Sequence, residues 1–286
     1  YGVQTSTRGT VVVQAKGKNS PLQILCKLII FIMILLIVLP IAAIIYLSFI
    51  STSSIMQDIF PTAFTMENYT EIFEKPRVMK PLINSLKMSA MAVFAGLIFT
   101  VPSAYMIVKQ KGKVNAFFRA LLMLPSTMPA SVIAINLINA FNQKSVFAFG
   151  ESLIGGFYIL PVAYTITALP LLLSSNEVAI QGLNANLEEA SKSLGANMVY
   201  TFVHVILPNI APGIMAGGVL VFIKTIGEYT MSALLYGVYN RPISISMITN
   251  MQEYNIGISM SYGVITIVIC YISLAIIFKL DKKRFM

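Results

Sequence analysis

Lys224 and Glu228 stand four residues apart inside an apolar run, a spacing that places both on one face of a helix and lets them pair. A charge within a membrane helix costs about 2.5–3.5 kcal/mol on insertion scales, so such residues usually face a bundle interior or a pathway. With the neighbouring Tyr229 and Thr230 they are expected to line a translocation path or its gate. The alternative is a pair that neutralises itself where two helices meet. Other chemistry is hard to assemble from this sequence. No nucleophile stands at a useful spacing from a base, and His204 is the only histidine, expected at the membrane surface and insufficient for a metal site. Cys26 and Cys270 lie in or beside apolar runs with no pair spacing, which argues against a disulfide framework or a thiolate metal site. The 16 methionines form no local cluster and suit packing better than copper binding. No catalytic residue and no cofactor of its own is expected for this chain.

The elements that must position Lys224 and Glu228 are membrane spans. Of 286 residues, 57% are hydrophobic and 11% charged, against roughly 25% charged in soluble domains, and mean hydropathy is +0.79. The expected fold class is all-α: a polytopic membrane protein with six transmembrane helices in one bundle, without internal repeats. Leu28–Ile50 is uncharged and as long as the ~20 residues a span requires. It exceeds the ~7–15 residues of a signal-peptide core, so a retained first span is expected. The others are placed at 84–108, 117–141, 153–173, 211–235 and 260–280, between a polar tail at 1–27 and a short one at 281–286. The chain begins with Tyr1 rather than methionine, and residues are expected upstream of it.

The net charge of +9 could suggest nucleic acid, but the basic residues sit beside the spans, where membrane orientation explains them better. One side carries thirteen: Arg8, Lys16, Lys18 and Lys27; Lys109, Lys111, Lys113 and Arg119; Lys192; and Lys279, Lys282, Lys283 and Arg284. The other carries six: Lys75, Arg77, Lys80, Lys87, Lys144 and Arg241. Basic residues in short loops are held in the cytoplasm. Both termini, and the loop 176–210, are therefore expected there, in a multi-pass protein of the plasma or inner membrane.

That loop contains a helix-compatible polar stretch, Glu188–Pro208. Asn186 and Glu189 have the spacing of a capping box. Leu187, Ala190, Ser191 and Leu194 follow at i, i+3, i+4 and i+7, a narrow face of small and apolar residues. Gly195 is suited to end the helix in the left-handed conformation, Asn197 to cap the next, and Pro208 to stop it. Such a face is suited to another protein's backbone or, alternatively, to the lipid surface. Gly213 and Gly217 form a GxxxG suited to close helix packing. Prolines 40, 102, 125, 129, 161 and 170 lie in or near spans, and Asn136 and Asn139 face either a pore or a neighbouring helix.

Glu189-Ala190-Ser191, Gly195 and, after nine residues, Val205-x-Leu207-Pro208 resemble the Glu-Ala-Ala loop of ABC importer permeases, with Ser191 replacing an alanine and Val205 an isoleucine. Glu67-Asn-Tyr69, Asn84-Ser-Leu86, Pro102-Ser-Ala-Tyr105 and Leu124-Pro125 extend the resemblance over most of the membrane region. The family implied is the type I, MetI-like permease of binding-protein-dependent importers. The resemblance implies that Glu189, Ala190, Ser191, Gly195, Leu207 and Pro208 couple to a cytoplasmic ATPase dimer, which binds ATP-Mg and drives the bundle between inward- and outward-open states. It also implies a second permease subunit, the same or homologous, and an extracytoplasmic solute-binding protein. Gly17-Lys18 is no ATP site, since Val12 stands where a P-loop needs glycine and Asn19 where it needs Ser or Thr. The short elements most resemble permeases for polyamines, ferric iron and 2-aminoethylphosphonate; Gly227-Glu228-Tyr229 is similar to a stretch of molybdate or sulfate permeases. An ion-gradient-driven secondary transporter would not need the loop, and a membrane-embedded enzyme would need convergent catalytic groups.

Overall fold

The computed structural model describes residues 21–110, 112–143, 150 and 152–282. Arg8, Lys16, the Gly17-Lys18 stretch, Lys111, Lys144, Glu151 and the last four residues lie outside the described residues. The chain divides into two compact units, one up to Ala43 and one from Ile44 onward. Regular structure among the described residues is helical, apart from one isolated bridge between Ile50 and Phe64.

Helix α1 is Pro21–Ser48. Within the first unit it carries no charged side chain from Leu28 to Ala43, as a helix that crosses a bilayer requires. The second unit then runs through α2 (Thr52–Gln57), α3 (Glu67–Glu74) and the 34-residue α4 (Pro76–Lys109), about 50 Å long at ~1.5 Å per residue. Next come α5 (Lys113–Met123), a 3₁₀ turn at Leu124–Thr127, α6 (Ala130–Phe141), α7 (Ile159–Gln181), α8 (Ala185–Ser193) and α9 (Met198–Thr201). A π-helical stretch, Phe202–Ile206, leads into α10 (Leu207–Ile226), followed by α11 (Thr230–Leu235), α12 (Ile243–Gln252) and α13 (Ile256–Lys282).

Among the described residues, five helices are long and apolar enough to cross a bilayer: Pro21–Ser48, Pro76–Lys109, Ile159–Gln181, Met198–Ile226 and Ile256–Ile277. The expected third span, 117–141, is not one helix. It breaks into Lys113–Thr127 and Ala130–Phe141, which meet at 106° and make a sixth span only if the bent pair is one. Two prolines cause the break. Pro125 and Pro129 donate no amide hydrogen, and Met128, just before the second, is extended at φ −105°, ψ 136°. The expected 153–173 span lies instead at Ile159–Gln181, and the expected 84–108 span begins earlier, at Pro76.

The core of the second unit is built around α7, which packs against α4 and α10. Gly213 and Gly217 are where the backbones approach. A Cβ on Gly213 would lie 2.6 Å from Ala179 Cβ, and one on Gly217 would collide with Ser175. The GxxxG is thus a packing face. Several of the short motifs are likewise clamps. Asn68 Nδ2 donates to the Ser48 and Ile50 carbonyls at 2.9 Å each, and Tyr69 donates to Ser48 Oγ at 2.8 Å. Asn84 Nδ2 donates to the Arg241 carbonyl at 3.0 Å, and Ser85 Oγ accepts the Ile243 amide at 2.8 Å, fixing the entry to α12.

Candidate functional site

The segment from Ala185 to Pro208 is shaped by its caps. Asn184, rather than the expected Asn186, caps α8 by accepting the Asn186 amide at 3.0 Å. Asn184 has the extended conformation a cap requires, whereas Asn186 already lies in the first turn. At the other end the Gly195 amide donates to Lys192 O and the Ala196 amide to Ser191 O, with Gly195 at φ +82°. These are the two bonds of a Schellman motif, and the left-handed residue is the expected glycine. Asn197 Oδ1 accepts the Tyr200 amide at 2.8 Å and starts α9, as its position suggested.

Pro208 does not stop the second helix. It lies in the first turn of α10, and one helical path continues from Met198 to Ile226. Proline has no amide to give to His204 O, and the turns ahead of it widen, with Leu207 N–H reaching back five residues to Phe202 O. The segment is therefore continuous with a membrane span. Ser191, 7% exposed, shares a 2.9 Å hydrogen bond with Thr201 Oγ1, which holds α8 against α9. Leu187, Ala190, Leu194, Gly195 and Tyr200 line a shallow depression of about 620 Å³ beside them, and Leu194 is 89% exposed. Glu189, the motif glutamate, is exposed to solvent on α8.

The residue that fixes α8 in place is Glu188, which the motif does not include. Its Oε2 meets Lys109 Nζ at 2.8 Å, and its Oε1 accepts from Lys192 Nζ at 2.9 Å and Tyr105 Oη at 3.2 Å. Hydrogen bonds from Lys109 and Lys192 pull its pKa from 4.5 down to about 2, against the opposing effect of burial. Lys192 in turn is raised by its bond to Glu188. Lys109 is far away in sequence, and its place after an apolar run marked it only as a charge of the cytoplasmic side. A second tie lies nearby, where Arg119 Nε and Nη2 grip the buried Glu177 carboxylate at 2.8 and 3.0 Å. It joins α5 to the end of α7, just ahead of α8.

Lys224 and Glu228 do not share a helix face and form no ion pair, contrary to their spacing. The expected 211–235 span ends at Ile226, and the chain breaks at Gly227. Glu228 then turns its carboxylate onto the next helix: Oε1 accepts the Met231 amide at 2.9 Å, and Oε2 accepts the Ser232 amide and hydroxyl at 3.0 Å each. Those amides would otherwise be orphan donors. Tyr164 Oη completes the network at 2.6 Å from Ser232 Oγ. Lys224 and Glu228 still line one cavity of about 410 Å³, together with Pro125, Ser126, Thr167 and Pro170. The Pro125 break in the third span thus opens onto the charged pair. Tyr229 and Thr230 are exposed beside it and do not belong to its lining. Among the described residues no three His, Cys, Asp or Glu side chains gather as a metal site would need.

Residues 92–285 match the family described as binding-protein-dependent transport system inner membrane component. The chain belongs to this family, the inner-membrane permeases of ABC importers. The match takes in the capped segment, the cavity and the breaks that shape both. Among its relatives, the probable ABC transporter permease protein y4fN of Sinorhizobium fredii is 29% identical over 242 residues, 84% of this chain. This chain spans only 42% of that relative's length. The spermidine/putrescine transport system permease protein PotB of Escherichia coli is 28% identical over 211 residues, covering 68% of this chain and 73% of PotB. A chain of a bacterial ABC transporter involved in the import of the acidic polysaccharide alginate superposes with a TM-score of 0.71 at 15% identity, over 91% of this permease and 95% of that chain. The shared fold is a multi-pass helical permease of the inner membrane.

Proposed function

We propose that this permease forms the translocation pathway of an ATP-driven importer for a small solute delivered by an extracytoplasmic binding protein. The observation that carries this reading is mechanical: one helical path runs from the capped, exposed segment at 198 to Lys224, which lines the cavity of about 410 Å³. The segment faces the cytoplasm with both termini, and its α8 surface around Leu187, Ala190, Leu194 and Gly195 seats in a groove on a subunit of an ATPase dimer. Ser191 holds that surface against α9 through Thr201, Glu189 is exposed on α8, and Leu207 and Pro208 transmit its motion into α10. A push on α8 also reaches α4 through Glu188 and Lys109. ATP-Mg binds to the ATPase subunit. A second permease, identical or homologous, completes the pathway.

The pathway in this chain is the cavity lined by the broken third span, α7 and the end of α10, with Lys224 and Glu228 on its wall and Tyr229 and Thr230 next to Glu228 in the chain. The substrate is one of polyamine, ferric iron or 2-aminoethylphosphonate, and the similarity to PotB supports the polyamine. The test is reconstitution of the permease with its ATPase and binding protein in proteoliposomes. Solute uptake should require ATP and the binding protein together. Uptake driven by a proton or sodium gradient alone would instead support a secondary transporter and overturn the proposal.

A further inference from the structure

A further cavity lies at the other end of α4 from the Glu188–Lys109 tie and shares no lining residue with the proposed pathway. It encloses about 700 Å³ between the start of α4, the segment before α12, and the start of α13, within the size range of small-molecule sites. Its charged lining is Lys75, Arg77, Lys80 and Arg241 against Glu71 and Glu253. Glu71 is engaged by Lys75 at 3.0 Å. Lys80 Nζ sits 5.6 Å from the Tyr239 ring, which orients its ammonium without neutralising it. Arg77 and Arg241 form no ion pair among the described residues, so two guanidinium groups and one ammonium face a single unengaged carboxylate. Ser246 lines the same cavity, and its buried Oγ has no hydrogen-bond partner. A buried hydroxyl normally finds one.

We infer that this cavity is a binding site for a phosphate-type anion. Two guanidinium forks suit bidentate recognition of phosphate or phosphonate oxygens, and Lys80 adds a point charge. Asn84 is committed to the Arg241 carbonyl, which holds the Arg241 backbone at the cavity wall. Val78, Pro81 and Ile258 give the cavity an apolar part that a bare ion would not need, so the group is carried on an organic body. A free phosphorylated or phosphonate solute and a phospholipid headgroup share this chemistry. The uncompensated positive charge disfavours a polycation here.

The test uses the full chain in nanodiscs and needs no ATPase, so it stands apart from the transport reading. Inorganic phosphate is titrated calorimetrically into discs of phosphatidylcholine. A parallel arm compares thermal unfolding in phosphatidylcholine discs with discs containing phosphatidylglycerol. Arg241→Gln and Arg77→Gln are compared with Lys113→Gln, which removes the same charge on α5, outside the cavity. Phosphate binding weakened at least tenfold by either arginine change, and less than twofold by Lys113→Gln, identifies a site for soluble anions. No phosphate binding, but an unfolding shift with phosphatidylglycerol that both arginine variants lose, identifies a headgroup site. The inference is overturned if neither arm responds, or if folded Arg241→Gln and Arg77→Gln chains respond like wild type.

Discussion

Glu188 Oε2 lies 2.8 Å from Lys109 Nζ, so the exposed segment at 185–208 is tied to the last turn of a membrane-spanning helix. Replacing Lys109 with methionine removes one of three donors to a largely buried carboxylate. Hydrogen bonds to charged groups contribute about 1.5–3 kcal/mol, and the Lys192 and Tyr105 bonds that remain keep the loss toward the lower end. K109M is expected to lower thermal stability measurably and to reduce ATP-driven uptake several-fold at unchanged membrane abundance. Thermal unfolding checks the first, and quantitative transport in proteoliposomes the second.

The same contact sets a pH window. The folded-state pKa of Glu188 is depressed, so its stabilising effect is complete above its ordinary value of 4.5 and is lost as pH falls toward about 2. Carboxyl NMR of the labelled protein should show Glu188 ionised throughout the range where exposed glutamates protonate. In K109M its titration should move up toward theirs.

Gly195 sits at φ +82° with nothing near its missing Cβ, so substitution there tests backbone strain and not collision. Left-handed backbone costs an L-residue about 1–2 kcal/mol, least for asparagine and most for a β-branched side chain. Uptake and ATPase association should therefore fall in the order Gly195→Asn, Gly195→Ala, Gly195→Val, with the asparagine form close to wild type. Equal loss in all three variants would point to surface occlusion instead.

Gly195 was legible because its role is local: a glycine after a polar amphipathic stretch, followed by a capping Asn197. The GxxxG at Gly213 and Gly217 was legible for the same reason. Glu188 was not, since its partner Lys109 is brought to it only by packing, and the neighbouring Glu189 carries the motif. The i, i+4 spacing of Lys224 and Glu228 misled because it assumed an unbroken helix. Gly227, together with two donor amides at Met231 and Ser232, makes ending one helix and capping another the better use of the carboxylate. Pro125 and Pro129 stood four apart in the third apolar run, but prolines are frequent in membrane helices and did not mark the bend.

Lys224 and Glu228 line one cavity but should separate by experiment. Glu228→Ala strips the cap from α11, a loss of about 0.5–2 kcal/mol, and should lower the unfolding temperature along with uptake. Lys224→Gln removes an exposed charge that bonds no helix end, and should alter uptake while leaving the unfolding temperature within error.

The claim that the Leu187–Gly195 surface seats an ATPase is tested most directly by photo-crosslinking in the assembled transporter. A crosslinking amino acid is placed at Leu194, the most exposed apolar position on that surface, with Phe94 on the outward face of α4 as control. The account predicts an adduct to the ATPase subunit from position 194 and none from position 94. An intact complex that gives no ATPase adduct from 194, or gives equal yields from both positions, would contradict it.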